Sequence, residues 1–594
     1  MSSTGQATVA DAAPTTDQLP GLAAFGKRYG WPQWRWYLAG FAALAATNWI
    51  TLEIPQLAKE IVNVLAAGPE MESASATSFG GLREVALLII GLGVFQIVIR
   101  SLSRILIFWP GRTIEMQSKS DLFAKCLTLP QTFLMRFGMG DMISRLANDV
   151  GQLRVFFAFG LLQVANLAFL LVFTITRMAS VHPGLTAAAI APLALMLVVT
   201  RFAMPRMQKY SRQNQEAIGR LTNRVTEAFV NAHVIQVNAA EEAFVSRADR
   251  ENAEVFTTNM KLVVVRNVIF PLMNCLAGLA QLAVLFYGGY EVMQGRLTVG
   301  DIMAFNVYIG FLGFPLTAVG MIIAMYQRAQ TAVKRTWEID LAPAESARPQ
   351  GVSPATTASA QRIPLLEVRS LTFRWKTDAA PVLENISFTM FDGEKIGIYG
   401  PIGSGKTTLF NLVTRVFDPP PGTVFWRGRD VLEIPPAEIR GEIGYAQQTV
   451  HLFSDSVRAN LSYGLPPARR SDTHLRNAAQ QAEILADIER FEAGWETQIG
   501  EKGIRLSGGQ KQRLALARML ARDSRLLILD DVMSAVDHET ETRLSQTFHG
   551  LGVAMLVATH RPSILTGCDR VIALDAGRIR KIDAWAEIAA LPQP

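Results

Sequence analysis

Six apolar stretches, each about 20 residues long and so able to cross a bilayer, begin near Trp36, Val85, Val155, Leu185, Val263 and Asp301. One such stretch could be a buried helix of a soluble core. Six in series ahead of a single soluble region predict an α-helical membrane domain of six transmembrane helices. Their spacing orients it. The loops at Ala179–Pro183 and Gln294–Gly300 are short, and Ala66–Glu84 is polar with one late Arg. Pro110–Arg154 and Pro205–Lys261 are long, helical in pattern and rich in Lys and Arg, which places both, with the two termini, on the cytoplasmic side. At about 1.5 Å per residue, a helix pair made from each would reach roughly 30 Å below the membrane. Short coupling elements are expected near Pro130–Gly140 and Glu227–Val234.

Composition supports a two-part chain. The 594 residues exceed what one core organises. Hydrophobic residues make up 49% and charged residues 18%, and mean hydropathy is +0.21. That is too apolar for an ordinary soluble enzyme and too polar for a chain lying wholly in lipid. The net charge of +6 fits Lys and Arg beside cytoplasmic span ends, and no basic run with interleaved aromatics points to nucleic acid as a partner. Cys126, Cys275 and Cys568 are far apart and lack CxxC spacing, which argues for a reducing compartment and against a disulfide framework or zinc site. Residues 1–25 are small and polar, contain Asp11 and Asp17 and no Arg, and read as a disordered cytosolic tail. The membrane domain is then expected over 26–340. A linker rich in Ala, Pro, Ser and Thr follows at 341–363, and an α/β domain at 364–594.

The α/β part carries the chemistry. Gly400-Pro401-Ile402-Gly403-Ser404-Gly405-Lys406-Thr407 matches the phosphate-binding pattern GxxxxGK[ST]. Lys395–Tyr399 ahead of it reads as a strand and Thr407–Phe417 after it as a helix. Such glycines let backbone N–H groups and the helix N-terminus encircle phosphate oxygens. Lys406 would neutralise β- and γ-phosphates, and Thr407 would ligate Mg²⁺. Further on, Leu506-Ser507-Gly508-Gly509-Gln510 precedes a helix-like stretch, and Leu526–Asp530 reads as a buried strand ending in a carboxylate that holds magnesium.

Together these segments resemble ATP-binding-cassette (ABC) exporters that carry a membrane domain and a nucleotide-binding P-loop domain in one chain, and the likeness runs from Trp36 to the end. The resemblance implies ATP and Mg²⁺ as cofactors and a second half-transporter as partner. ATP would be held by Gly400, Gly403, Ser404, Gly405, Lys406, Thr407 and Thr408 of one chain, against Ser507, Gly508, Gly509 and Gln510 of the other. Mg²⁺ would sit on Thr407, Gln448 and Asp530. Ile443–Gln448 is similar to the Q-loop, with Gln447 where Pro is usual, Ser534–Asp537 to the D-loop, and Ala558-Thr559-His560 to the switch. Thr497–Gly503 is similar to the segment that precedes the signature in exporters. Gln448, Asp531 and His560 are thereby the catalytic candidates, and Asp537 a nucleotide-site residue. Trp375 occupies the position of the adenine-stacking aromatic, where a packing role is the other reading. In the membrane part, Gly140–Leu146 with Asn148–Val150, and Leu297–Asp301, also resemble family segments.

Asp531 departs from the pattern, which has Glu after the Walker B Asp. A carboxylate shorter by one C–C bond sits roughly 1.5 Å further back, while a general base must lie within about 2.6–3.2 Å of its water. This substitution resembles the degenerate half of heterodimeric exporters, so slow hydrolysis with retained binding is expected. A homodimer that tolerates Asp is the other reading, and the intact His560 keeps it open. Further alternatives are a catalytically weak regulatory subunit and an exporter-fold importer of siderophore-like cargo. Polar groups within the spans mark a candidate substrate path: Asn48, Glu53, Gln163, Asn166, Arg266, Asn267, Asn274, Gln281 and Asn306. Phe156, Phe159, Phe305, Phe311, Phe314 and several Met would line it, a surface suited to small amphipathic cargo. The expected location is a plasma membrane, most simply a bacterial inner membrane, with membrane lipid around the spans.

Overall fold

A computed structural model of the protein describes residues 19–66, 76–345, 363–376, 379–500, 506–533 and 535–590. Two compact units emerge. Ala13–Leu127 with Gly140–Ala342 forms one, and Thr128–Met139 with Pro343–Pro594 the other.

The first unit is helical. Its long elements are α1 (Trp34–Ala66), α2 (Ala76–Cys126), the end of α3 (Gln131–Ser144), α4 (Leu161–Val181), α5 (Pro183–Val230), α6 (Glu241–Met293) and α7 (Val299–Asp340). Each predicted apolar stretch lies on a helix. Arg83–Cys126, Gln131–Val181, Pro183–Val230 and Glu241–Met293 are long and apolar enough to cross a membrane, and Val299–Gly313 is a shorter apolar helix. The loop expected at Ala66–Glu84 is shorter than its composition implied. Helix α2 already begins at Ala76, and residues 67–75 lie outside the described set. Leaving the apolar layer ends a span but not the helix that carries it. The tail expected over 1–25 is likewise ordered at its end, because Leu22–Phe25 is helical and Leu19, Leu22 and Phe25 are buried. Residues 1–18, and 346–362 of the expected linker, lie outside the described set.

The long extensions pair as expected. Helices α5 and α6 run antiparallel, and Arg220 meets Glu254 at 2.5 Å and Arg224 meets Glu251 at 3.2 Å. At 48 and 53 residues they are each roughly 70–80 Å long, far beyond a bilayer. Where the first coupling element is expected, a helix begins after Pro130 and Gly138 breaks it at φ +71. The second falls where α5 ends at Val230 and Ala232–Val237 starts. Helix α7 opens with a reciprocal cap in which Asp301 N–H donates to Thr298 Oγ1 at 3.2 Å and Thr298 N–H donates to Asp301 Oδ2 at 2.9 Å.

The second unit is α/β. A six-stranded sheet has the order β10-β9-β3-β8-β7-β6, formed by β3 (Lys395–Tyr399), β6 (Ile443–Ala446), β7 (Leu526–Asp530), β8 (Ala554–Ala558), β9 (Arg570–Asp575) and β10 (Arg578–Asp583). Strands β6, β7, β8, β3 and β9 are parallel. Buried on both faces, they read as near-continuous apolar runs such as Leu-Leu-Ile-Leu in β7. One face packs Ile396, Ile398, Ile528 and Leu556 against Leu409, Phe410 and Val413 of α8 (Lys406–Val413) and against a smaller antiparallel sheet of order β2-β1-β4-β5. That sheet comprises β1 (Leu366–Phe373), β2 (Leu383–Met390), β4 (Val424–Trp426) and β5 (Arg429–Asp430). The other face packs Leu527, Leu529, Met555 and Val557 against helices α9 (Gly508–Leu520) and α10 (His538–Gly550).

Candidate nucleotide site

Parallel strands deliver their following loops to one sheet edge, where ligands of open α/β sheets bind. Here that edge collects the phosphate loop after β3, Gln447 and Gln448 after β6, Asp531 after β7, and Thr559 and His560 after β8. Four segments separated by up to about 160 residues of sequence thus meet at one rim because β8 lies between β3 and β7.

The phosphate loop has the backbone its glycines predict. Gly403 and Gly405 stand at φ +84 and +101, a region that L side chains enter only with strain. At Gly400 a Cβ would lie 2.0 Å from the carbonyl oxygen of Leu574, so any side chain is excluded. Lys406 folds back on the loop, and its Nζ donates to the carbonyl oxygens of Gly400 (2.7 Å) and Pro401 (2.9 Å). Ser404 is buried, and its Oγ has no hydrogen-bond partner among the described residues. A cradle with an orphaned hydroxyl and a cation resting on neutral carbonyls fits a bound polyphosphate.

Asp530 is buried at the end of β7, with Thr407 hydrogen-bonded to it and Tyr445 Oη 3.5 Å from its Oδ2. Burial pushes the Asp530 carboxyl above its ordinary value; the Thr407 hydrogen bond and the Lys406 charge pull the other way. Burial lowers the Lys406 ammonium, against the charges of Asp530 and Asp531. Thr407 and Asp530 would hold Mg²⁺ beside the phosphates. Among the described residues no cluster of three or more His, Cys, Asp or Glu could hold a metal by itself, and Mg²⁺ bound through one carboxylate, substrate phosphates and waters needs none. Mg²⁺ would supply charge neutralisation between the phosphates.

Tyr445 was not anticipated. It pairs in register with Ile528, two residues before Asp530, so both side chains face the α8 side of the sheet. Strand alternation combined with the parallel register is the signal that finds it. Asp531 follows at φ +48, an uncommon left-handed conformation that Asp enters more readily than most residues. His560 is exposed, its ring edge-on to Tyr399 at 6.1 Å, and Gln448 is exposed just beyond β6.

Ser507 caps α9. Its Oγ accepts from Gln510 N–H at 3.2 Å and its own N–H donates to Gln510 Oε1 at 3.0 Å. Gln510 Nε2 in turn donates to Asp487 Oδ1 at 3.0 Å. Ser507 and Gly508 are exposed at this N-terminus, and at Gly509 a Cβ would lie 2.8 Å from the carbonyl oxygen of Ala535. Asp537 is the N-cap of α10, accepting from Thr540 N–H at 3.0 Å, so within one chain its role is structural. Ser534 lies outside the described residues. Thr497–Gly500 runs beside Asp455–Val457 through backbone bonds such as Ile499 N–H to Asp455 O at 3.1 Å, while Glu501–Gly503 lie outside the described set. Thr408 lies in the first turn of α8. Trp375 is half-exposed, with its ring plane nearly perpendicular to those of Phe373 (5.1 Å) and Phe417 (4.8 Å).

The polar groups of the spans divide. Asn48 is buried and donates to Asn166 Oδ1 at 3.1 Å, an interhelical bond, and Phe305 is fully buried; close packing removes these from a path surface. Glu53 is ion-paired with Arg177, a partner not foreseen. Phe156, Phe159, Phe311 and Gln163 are part-buried, Arg266, Asn267 and Asn274 exposed, and the Phe314 side chain lies outside the described set. Gln281 and Asn306 come together in a groove of about 540 Å³ with Cys275, Gly278, Leu282 and Leu285.

A nucleotide-binding α/β domain joined to a helical membrane domain is the class that fold and site define. Comparison with known proteins is specific. Residues 37–316 match the ABC transporter transmembrane region and 383–534 the ABC transporter ATP-binding family; the chain belongs to the ABC transporters with fused membrane and ATP-binding domains. It is 29% identical over 95% of both chains to the probable multidrug resistance ABC transporter ATP-binding/permease protein YheI of Bacillus subtilis. It is also 29% identical, over 97% of both chains, to the ATP-dependent lipid A-core flippase of Thiobacillus denitrificans. A solved bacterial Atm1-family ABC exporter with ATP bound shares the fold at TM-score 0.77 and 23% identity, covering 93% of this chain and 96% of that one. This is a multi-pass membrane protein of exporter fold whose ATPase domain supports ATP-driven transport.

Proposed function

We propose that the chain is one half of a dimeric exporter of amphipathic molecules, and that its own nucleotide site binds ATP but hydrolyses it slowly. The observation that carries this is the position after Asp530. A complete phosphate-binding set surrounds a shortened carboxylate that begins from a left-handed backbone. The signature helix α9 presents an exposed, pre-capped N-terminus suited to closing on ATP held by a partner chain. A heterodimer follows, in which Ser507 completes the partner's competent site while Lys406 and Asp530 hold a longer-lived ATP. ATP binding shifts the pair between inward- and outward-facing states. Gln448, His560, Asp531 and Asp537 act at the closed interface, and Trp375 stacks on adenine.

Six spanning helices, with cytoplasmic termini and the α5–α6 arms inside, make up each membrane half, in a bacterial inner membrane. The names of the two relatives quoted favour drug-like or lipid-like cargo, and the groove at Gln281 and Asn306 supports an amphiphile. The exposed His560 favours a second reading, a slow homodimer. Cargo transport by the purified chain alone separates the two, since a slow homodimer transports without a second chain; ATPase activity of the same chain tests the slow site. Slow turnover, raised by Asp531→Glu, is the expected result; a brisk, cargo-stimulated homodimer that Asp531→Asn silences overturns the heterodimer.

A further inference from the structure

The segment that leads into α1 has two chemically opposite faces. Leu22, Phe25 and Tyr29 are buried against Ile114, Phe157 and Trp337. Lys27 lies on a π-helical turn (Gly26–Gly30), Trp31 opens a 3₁₀ turn (Trp31–Gln33), and Trp34, Arg35 and Leu38 lie in the first turns of α1; all five are exposed. Trp31 is 70% exposed, unusual for an indole in water. The Arg35 guanidinium lies 5.7 Å from the Trp34 ring centre.

Charge pairing sorts the cations. Arg28, between them, is neutralised by Asp340 at 2.6 Å and Asp121 at 3.7 Å. Among the described residues no carboxylate forms an ion pair with Lys27 or Arg35, whose charges are left for something outside the chain.

The depth of this face is marked independently. Trp36 opens the first apolar stretch and Trp109 closes the second, followed by Arg112, Glu115 and Lys119. The rings of Trp36 and Trp109 lie 6.5 Å apart. Two helices running in opposite directions thus change from apolar to polar at one level. That level is where indoles settle at a membrane boundary and where Lys and Arg meet lipid phosphate.

We infer that Lys27, Trp31, Trp34 and Arg35 form a binding surface for anionic phospholipid headgroups at the cytoplasmic boundary, with the indoles at the glycerol level and the two cations on the phosphates. This rests on the membrane placement proposed above. Two exposed cations near a surface, at about 1 kcal/mol each, predict roughly a thirtyfold preference for anionic over zwitterionic lipid.

The test uses the full chain in phosphatidylcholine nanodiscs doped with brominated phosphatidylglycerol or, separately, brominated phosphatidylcholine. Quenching of Trp31 and Trp34 fluorescence is isolated by subtracting the signal of the Trp31→Phe/Trp34→Phe variant. Stronger quenching by the brominated anionic lipid is expected, with the preference falling to about twofold or less in Lys27→Gln/Arg35→Gln. Equal quenching by the two lipids, or a preference unchanged in that variant, overturns the anionic surface while leaving membrane placement intact. Quenching by neither overturns both.

Discussion

The backbone N–H of Asp531 donates to the carbonyl oxygen of Ala558 at 2.9 Å, one rung beyond the last residue of β7. The position after Asp530 is therefore tied to the end of β8 by a backbone hydrogen bond. Its Cα cannot drift forward to recover the reach lost with a shorter side chain. Asp531→Glu should raise ATP turnover of the self-associated chain by one order of magnitude or more, the scale of a well-placed general base. Steady-state ATPase assays of the two proteins at saturating ATP check it, and equal rates reject the reach argument.

Lys406 contributes charge at a cradle that has no other cation on the loop. Lys406→Ala should reduce MgATP affinity of this domain by at least about a hundredfold, two charge-assisted bonds at roughly 1.5–3 kcal/mol each. Equilibrium binding of a fluorescent ATP analogue reads the change directly.

Ser507 and Asp531 should separate by site. In the proposed native pair, Ser507→Ala damages the partner's competent site and lowers transport strongly, whereas Asp531→Asn alters a site already slow. Vesicle transport by the two variant pairs is the measurement, and the reverse order of severity contradicts the division of labour.

Arg145 is buried and donates to Asp141 Oδ2 (2.7 Å), Glu338 Oε2 (2.5 Å) and the Arg335 carbonyl (2.8 Å), with Asp149 joined through Arg335 at 3.2 Å. Removing the guanidinium strands a set of partly buried carboxylates, so Arg145→Met should cost about 3 kcal/mol or more. Glu338→Gln, which keeps an acceptor, should cost less. Thermal unfolding in detergent orders the two variants.

Topology has its own test. A cysteine replacing Gln294 should react with an impermeant thiol reagent applied outside cells, and one replacing Met139 should not, in a background lacking Cys126, Cys275 and Cys568.

Much of this was legible in the chain because the signals are local. A span is a run of apolar residues, and the phosphate loop is eight consecutive residues whose glycines have few other uses. The α5–α6 pair was legible for the same reason, since only about ten residues, with one short helix, separate them. What escaped depends on distant neighbours. Tyr445 reaches Asp530 only through the β6–β7 register. Glu53 has the look of a lone charge in a span until α4 brings Arg177 beside it. Phe305 reads as a surface aromatic and is a core residue, because helix periodicity alone does not say which neighbour covers which face.

The antiparallel arms carry a consequence for biogenesis. Arg224 and Glu251 meet across 27 residues and Arg220 and Glu254 across 34, so this hairpin closes a short loop and can zip as soon as α6 has left the ribosome. The Arg145–Glu338 contact spans 193 residues and must wait for α7. Assembly of the membrane half should then proceed in two stages, an early hairpin followed by a late clasp. A chain arrested before residue 299 should already protect the α5–α6 tip from protease, with the Arg145–Glu338 bond still to form.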